Sequence, residues 1–168
     1  MAVLVSKPAP FFNDSDKVFS AVLGDGNIVD DFSFKAATKG KYAVVFFYPL
    51  DFTFVCPSEI IAFNNRLEEF KKRNVELISV SVDSQFTHSA WRNTAVDAGG
   101  IGPVGFTMVA DIKREIIQAF DVESDGGVAF RGSFLIDKDG VVQHQVVNNL
   151  PLGRNVDEML RMIDALQF

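Results

Sequence analysis

The chain has 168 residues, enough for one domain with a substantial core and too few for two ordinary ones. A formal charge of −6 and a pI near 4.8 argue against a nucleic-acid backbone or an anionic membrane surface as the main partner, and no basic stripe offsets that balance. A single cysteine excludes an internal disulfide framework and fits a reducing compartment; with only His88 and His144 beside it, a cysteine/histidine metal site of ordinary spacing is not expected. The longest apolar runs are strand-sized, and Met1 to Pro8 lacks the basic and long apolar regions of a secretory signal, so a cytoplasmic location is expected.

Pro8, Pro10 and the Phe11-Phe12-Asn13-Asp14 segment read as an irregular or edge-strand entry. Val18 to Leu23, Gly24-Asp25-Gly26-Asn27, then Ile28 and Val29 predict a β-hairpin whose glycines supply the positive φ of the turn. A short helical or loop passage over Asp31 to Lys39 leads to Gly40 and a buried strand at Tyr42 to Phe47. Beyond Cys56, the spacing of Ile60, Phe63, Leu67 and Phe70 predicts one long amphipathic helix, with Pro57 at its first position.

Val75 to Val82 reads as a second buried strand, followed by a helix capped at Asp83-Ser84-Gln85 that carries Phe86, His88, Ala90 and Trp91. Strand, helix, strand, helix implies parallel pairing. His88 is expected to be packed or solvated, because no carboxylate stands at a telling spacing from it. Gly99-Gly100-Ile101-Gly102-Pro103 forms a loop without the context of a dinucleotide fingerprint. A strand at Thr107 to Ala110 and a helix near Lys113 to Phe120 follow. Val128 to Asp137 and Val141 to Val147 then flank Lys138-Asp139-Gly140 as an antiparallel hairpin. The last helix begins after Gly153, with Val156, Met159, Leu160, Ile163 and Leu166 on one stripe. The seventeen phenylalanines read mainly as core packing.

The chemistry centres on Tyr48-Pro49-Leu50-Asp51-Phe52-Thr53-Phe54-Val55-Cys56-Pro57-Ser58-Glu59, which sets the one thiol at a strand-to-helix junction. At a helix N-terminus the unpaired N–H groups and the positive dipole end favour the thiolate, which is the reactive form. Thr53 stands three residues before the sulfur, Pro49 and Pro57 stiffen the loop, and Glu59 falls in the first helical turn, where it favours the dipole or orients a distant arginine. Arg131, in the apolar run Val128 to Phe134, needs a partner if its strand is central, either the sulfur's surroundings or a structural pair with Glu59.

Pro49-x-x-x-Thr53-x-x-Cys56 resembles the active-site signature of the peroxiredoxins, and the run Phe46 to Pro57 is similar to that of the typical 2-Cys group, which includes bacterial alkyl hydroperoxide reductase. Gly99 to Gly102, Phe130-Arg131-Gly132 and Asn149 to Arg154 also resemble family landmarks in the expected order, so the likeness spans nearly the whole chain. It implies a single thioredoxin-like α/β domain over residues 1–168, with a central mixed sheet, helices on both faces and the N-terminal hairpin. The implied reaction is reduction of hydrogen peroxide and organic hydroperoxides by Cys56, which becomes a sulfenic acid. Thr53 and backbone N–H groups near Val55 and Cys56 would hold the peroxide, Arg131 would stabilise charge, and Pro49 would shield the sulfur. Arg154 would be a second active-site arginine, with Glu59 in support.

No cofactor is implied. Implied partners are a thioredoxin-like or small-thiol reductant and further copies of the chain, as a dimer paired along Val141 to Val147 and as a decamer of such dimers, with Asp51 to Val55 and Ser84 to Trp91 near the ring contact. The group's resolving cysteine on a C-terminal arm has no counterpart here, and the sequence stops at Phe168 inside a helical pattern, so a truncated form is expected. Gly99 to Gly102 resembles a motif linked to overoxidation sensitivity. Two other functions fit the residues: a holdase-like oligomer of the same fold without catalysis, and a cysteine hydrolase pairing Cys56 with His88 or His144.

Overall fold

The computed structural model describes residues 3–14, 16–53 and 56–168, with Cys56 described through its backbone alone. The predicted hairpin is formed by β1 (Phe19–Val22) and β2 (Ile28–Phe32), which pair antiparallel around a turn with Gly26 at φ +91°. β3 (Tyr42–Phe47), β4 (Val75–Ser81) and β5 (Thr107–Ala110) run parallel, as their intervening helices require. β6 (Arg131–Ile136) and β7 (Val142–Asn148) make the second antiparallel hairpin. Among the described residues these strands form one seven-stranded mixed sheet in the order β2-β1-β5-β4-β3-β6-β7. The Pro8 segment joins its edge at the start of β7, through a bridge to Val141 and backbone hydrogen bonds from Ser6 N to Val142 O and from Val142 N to Lys7 O.

The interior strand β3 feeds two cores, because successive side chains of a strand point to opposite faces. Ala43, Val45 and Phe47 join Phe34, from α1 (Phe34–Ala37), and Ile116 and Ile117, from α5 (Glu115–Ala119), on one face. Val44 and Phe46, with Tyr48 just beyond the strand, meet the other helices on the opposite face. These are α2 (Cys56–Asn65), α3 (Leu67–Lys72), α4 (Gln85–Arg92) and α6 (Val156–Gln167), which contribute Ile60, Phe63, Phe70, Trp91, Leu160 and Ile163. This is the thioredoxin-like arrangement with helices on both faces. No described helix is long and apolar enough to cross a membrane.

The structure differs from the expected elements in three places. The long helix after Cys56 is broken at Arg66 (φ −109°, ψ 12°), whose N–H donates back to Phe63 O at 3.2 Å in a tightened turn. Contacts made on either side of the break, Asn64 with the Gly105 N–H and Arg66 with Asp157 of α6, are tertiary ones that periodicity does not report. The last helix starts later than expected, at Val156, where the Asn155 side chain caps it by accepting from Glu158 N at 3.2 Å. Phe86 on α4 is 67% exposed, and Phe52 and Phe168 are also exposed, whereas most of the other described phenylalanines lie in the core.

A short 3₁₀ turn at Val96–Ala98 leads into the Gly99 to Gly102 loop, which folds back onto α4. Trp91 Nε1 donates to Gly99 O at 3.1 Å, and Ile101 N donates to Trp91 O at 3.2 Å. A β-carbon at Gly100 would lie 2.0 Å from the Thr94 carbonyl oxygen, which is backbone and has no rotamer to escape into. We therefore expect Gly100→Ala to destabilise the fold by about 1–3 kcal/mol, the usual cost of overpacking, read as a lower urea midpoint at unchanged slope.

Candidate active site

Cys56 is the first residue of α2, so the sequence-derived placement of the thiol at a helix N-terminus holds for its backbone. Its side chain, with Phe54 and Val55 and the N–H groups assigned to peroxide binding there, lies outside the described residues. Glu59 follows in the first turn and shares a helix face with position 56, since residues three apart are surface neighbours. The Glu59 carboxylate is buried and receives both arginines named above: Arg131 Nη1 donates to Oε1 at 2.6 Å, and Arg154 Nε donates to Oε2 at 2.9 Å. The Arg154 backbone N–H adds a bond to Oε2 at 2.8 Å.

Strand parity brings Arg131 there. Arg131, Ser133 and Leu135 point to the α2 face of β6, whereas Phe134 and Ile136 point to the other core. Phe46 pairs with Ser133 across the β3–β6 ladder, so Arg131 faces the Tyr48 to Pro49 exit of β3. Arg131 is only 4% exposed and also donates from Nε to Leu150 O at 2.6 Å. Arg154 donates to Gly132 O at 2.8 Å and lies over the ring of Phe46 at 5.2 Å. Burial pushes the Glu59 carboxyl up, but the hydrogen bonds and charge of Arg154 and the charge of Arg131 outweigh it and hold the group below its ordinary value.

The loop out of β3 is anchored from below. Pro49 is buried, and Thr53 Oγ1 donates to Leu50 O at 3.0 Å, so its proton is committed and its oxygen is left as an acceptor. Phe52 between them sits at φ +59°, a left-handed conformation rare for a bulky side chain. Asp51 is held at Oδ1 by the Tyr48 hydroxyl (2.6 Å), at Oδ2 by His88 Nδ1 (2.6 Å) and at its backbone N–H by Asp83 Oδ2 (2.8 Å). Burial, then the charge of Asp51, keeps the Tyr48 hydroxyl protonated well above its ordinary range.

His88 departs from the expectation that it lacks a carboxylate partner. It is fully buried between Asp51 and the carbonyl of Val109, to which Nε2 lies at 3.0 Å. Its partner comes from 37 residues earlier, through the packing of α4 under the loop. Asp51, Asp83 and His88 are also the described group whose ligand atoms, within 4.8 Å of one another, could hold a metal ion; here they are hydrogen-bonded together. Asp51, Asp83, Tyr48 and Ser81 gave no signal in the linear sequence beyond their closeness to the loop and to the cap of α4.

The fold and site define a class: a thioredoxin-like α/β protein with its cysteine at the N-terminus of a helix whose first turn carries a buried carboxylate held by two arginines. The model of the AhpC/TSA family matches residues 6–145. The chain is 53% identical to alkyl hydroperoxide reductase C of Buchnera aphidicola subsp. Baizongia pistaciae, over 99% of this chain and 81% of that protein. It is 48% identical to peroxiredoxin-2 of Macaca fascicularis, over 98% and 79%. Among solved structures, the reduced 2-Cys peroxiredoxin of Plasmodium vivax superposes with a TM-score of 0.91 at 47% identity, covering 98% of this chain and 82% of that one. AhpC of Mycobacterium tuberculosis gives 0.86 at 35% identity, covering 99% and 94%. The chain belongs to the AhpC/TSA family of peroxiredoxins, and its activity is that of a thiol-dependent peroxidase. The hydrolase and non-catalytic readings are not favoured.

Glu59→Gln should leave two buried guanidinium groups short of a counter-charge and cost about 3–5 kcal/mol at neutral pH. Because the native carboxyl sits below its ordinary value of 4.5, its contribution is present above that pH and is lost as pH falls through the lowered value. Urea unfolding should show the gap between the two proteins narrowing in acid.

Proposed function

We propose that Cys56 is the peroxidatic residue of one catalytic domain spanning residues 1–168, with Thr53, Arg131 and Pro49 as its immediate partners and Arg154 and Glu59 in support. The observation carrying this reading is the buried Arg131–Glu59–Arg154 cluster on the helix that Cys56 opens. Its net positive charge and the dipole end of α2 both favour a thiolate there. The thiolate attacks one oxygen of hydrogen peroxide or an organic hydroperoxide, the O–O bond breaks, and protonation of the departing oxygen releases water or an alcohol. Cys56 is left as sulfenic acid. Thr53 Oγ1, its own proton held by Leu50 O, accepts a hydrogen bond from the peroxide, and Arg131 offsets charge on the departing oxygen.

Ionisation alone is a small lever. A free thiol of pKa about 8.5 is roughly 3% ionised at pH 7, so complete ionisation gains only about thirtyfold. Positioned donors contribute about a hundredfold to a thousandfold in other enzymes, so geometry carries the larger share. A thioredoxin-like protein or a small thiol returns the sulfenic acid to thiol, in the cytoplasm, where a lone cysteine stays reduced. Copies of the chain pair along β7, the edge strand of the sheet, and dimers join further through the exposed Phe52 and Phe86.

Trapping with a sulfenic-acid reagent after one equivalent of hydrogen peroxide should label Cys56 by mass spectrometry; an unlabelled, unoxidised thiol would overturn the reading. Arg131→Ala or Thr53→Val should slow oxidation by about a hundredfold in stopped flow, even above the thiol pKa of the variant. Recovery of the original rate there would remove the positioning role. Phe86→Asp should leave dimers and abolish larger assemblies in sedimentation velocity.

A further inference from the structure

Asp83 lies two residues beyond the end of β4, outside the set of residues assigned to catalysis above. Its Oδ2 accepts from the backbone N–H of Asp51 at 2.8 Å and from the Ser81 hydroxyl at 2.7 Å. The Asp51 side chain is already held on two sides, by Tyr48 and His88, so the bond from Asp83 adds a third fixed point on the same residue. Immediately after this residue the chain takes the left-handed turn at Phe52, and Thr53 then closes onto Leu50. An aromatic residue keeps such a conformation only where its surroundings over-determine it, and Asp51 is the nearest point at which they do. Asp83 thus ties the end of β4, through Ser81, to the loop, through the Asp51 N–H.

We propose that Asp83 is a positioning residue for peroxide reduction, holding the Asp51 N–H so that the strained turn at Phe52 presents the Thr53 hydroxyl oxygen to the peroxide. This rests on the role of Thr53 given above. Asp83 touches neither sulfur nor substrate in this role; it acts through the backbone of the loop. Asn at position 83 keeps an acceptor oxygen for both donors, whereas Ala keeps none, so the two variants separate the bond from general packing.

The test compares second-order rates of Cys56 with hydrogen peroxide and with iodoacetamide, which needs a thiolate and access but not a peroxide held by Thr53. Asp83→Ala should lower the ratio of the two rates by about tenfold to a hundredfold, the scale of an ångström-sized misplacement, and Asp83→Asn should restore most of it. Ser81→Ala, which removes one of the two donors orienting the carboxylate, should lower the ratio in the same direction and serves if Asp83→Ala does not fold. An unchanged ratio in the folded variants, or an equal fall in Asn and Ala, overturns the proposal. If the unaltered protein itself reacts with peroxide no faster than a free thiol, the reading of Thr53 and Cys56 fails instead.

Discussion

Everything at the site hangs on one buried carboxylate. Glu59 receives a guanidinium from β6 and another from the segment before α6, so three separate stretches of chain are tied at a point on the first turn of α2. Burying such a cluster is weak evidence of stabilisation, because well-packed apolar groups of the same volume often serve the fold as well or better. Its value lies in the field it makes. Among the described residues two guanidinium groups meet this one carboxylate where water is scarce and screening is poor, on the helix that begins at Cys56. The stacking of Arg154 over Phe46 and Phe63 holds its planar group in place.

The sheet makes this possible by alternation. β3 is buried on both sides and ends where the loop that leads to Cys56 begins, so the loop departs from the packed interior. Polar groups on the α2 face, Ser79, Ser81 and Ser133, interrupt what would otherwise be continuous hydrocarbon, and they lie toward the end of the strands where the chemistry is placed. Open sheets of this type collect their sites beyond the carboxyl ends of parallel strands, and the ends of β3 and β4 do so here.

Much of this was legible in the linear chain. The run from Tyr42 to Phe47 matches β3, and Thr107 to Ala110 matches β5, because short β-branched and apolar runs bounded by turn residues leave little alternative. The patterned loop and a charge on an apolar strand also single out Cys56, Thr53, Pro49 and Arg131, whose roles are those proposed above. The same reasoning missed the pairing of His88 with Asp51, since the partners come from a loop and a helix that meet only after the sheet is assembled. It also missed the break at Arg66, where a stripe of correct period runs through a bend fixed by α6 and by the Gly105 loop. Periodicity reports which side faces the core; it is silent about which polar groups meet there.

Because Arg131 reaches Glu59 by alternation along β6, the strand does not tolerate a change of length. A single inserted or deleted residue between Arg131 and Leu135 would turn the guanidinium toward the apolar core of Phe47, Phe120 and Phe134 and strip Glu59 of half its counter-charge. The turn at Lys138 to Gly140 lies beyond this stretch, so an added residue there leaves Arg131 facing Glu59.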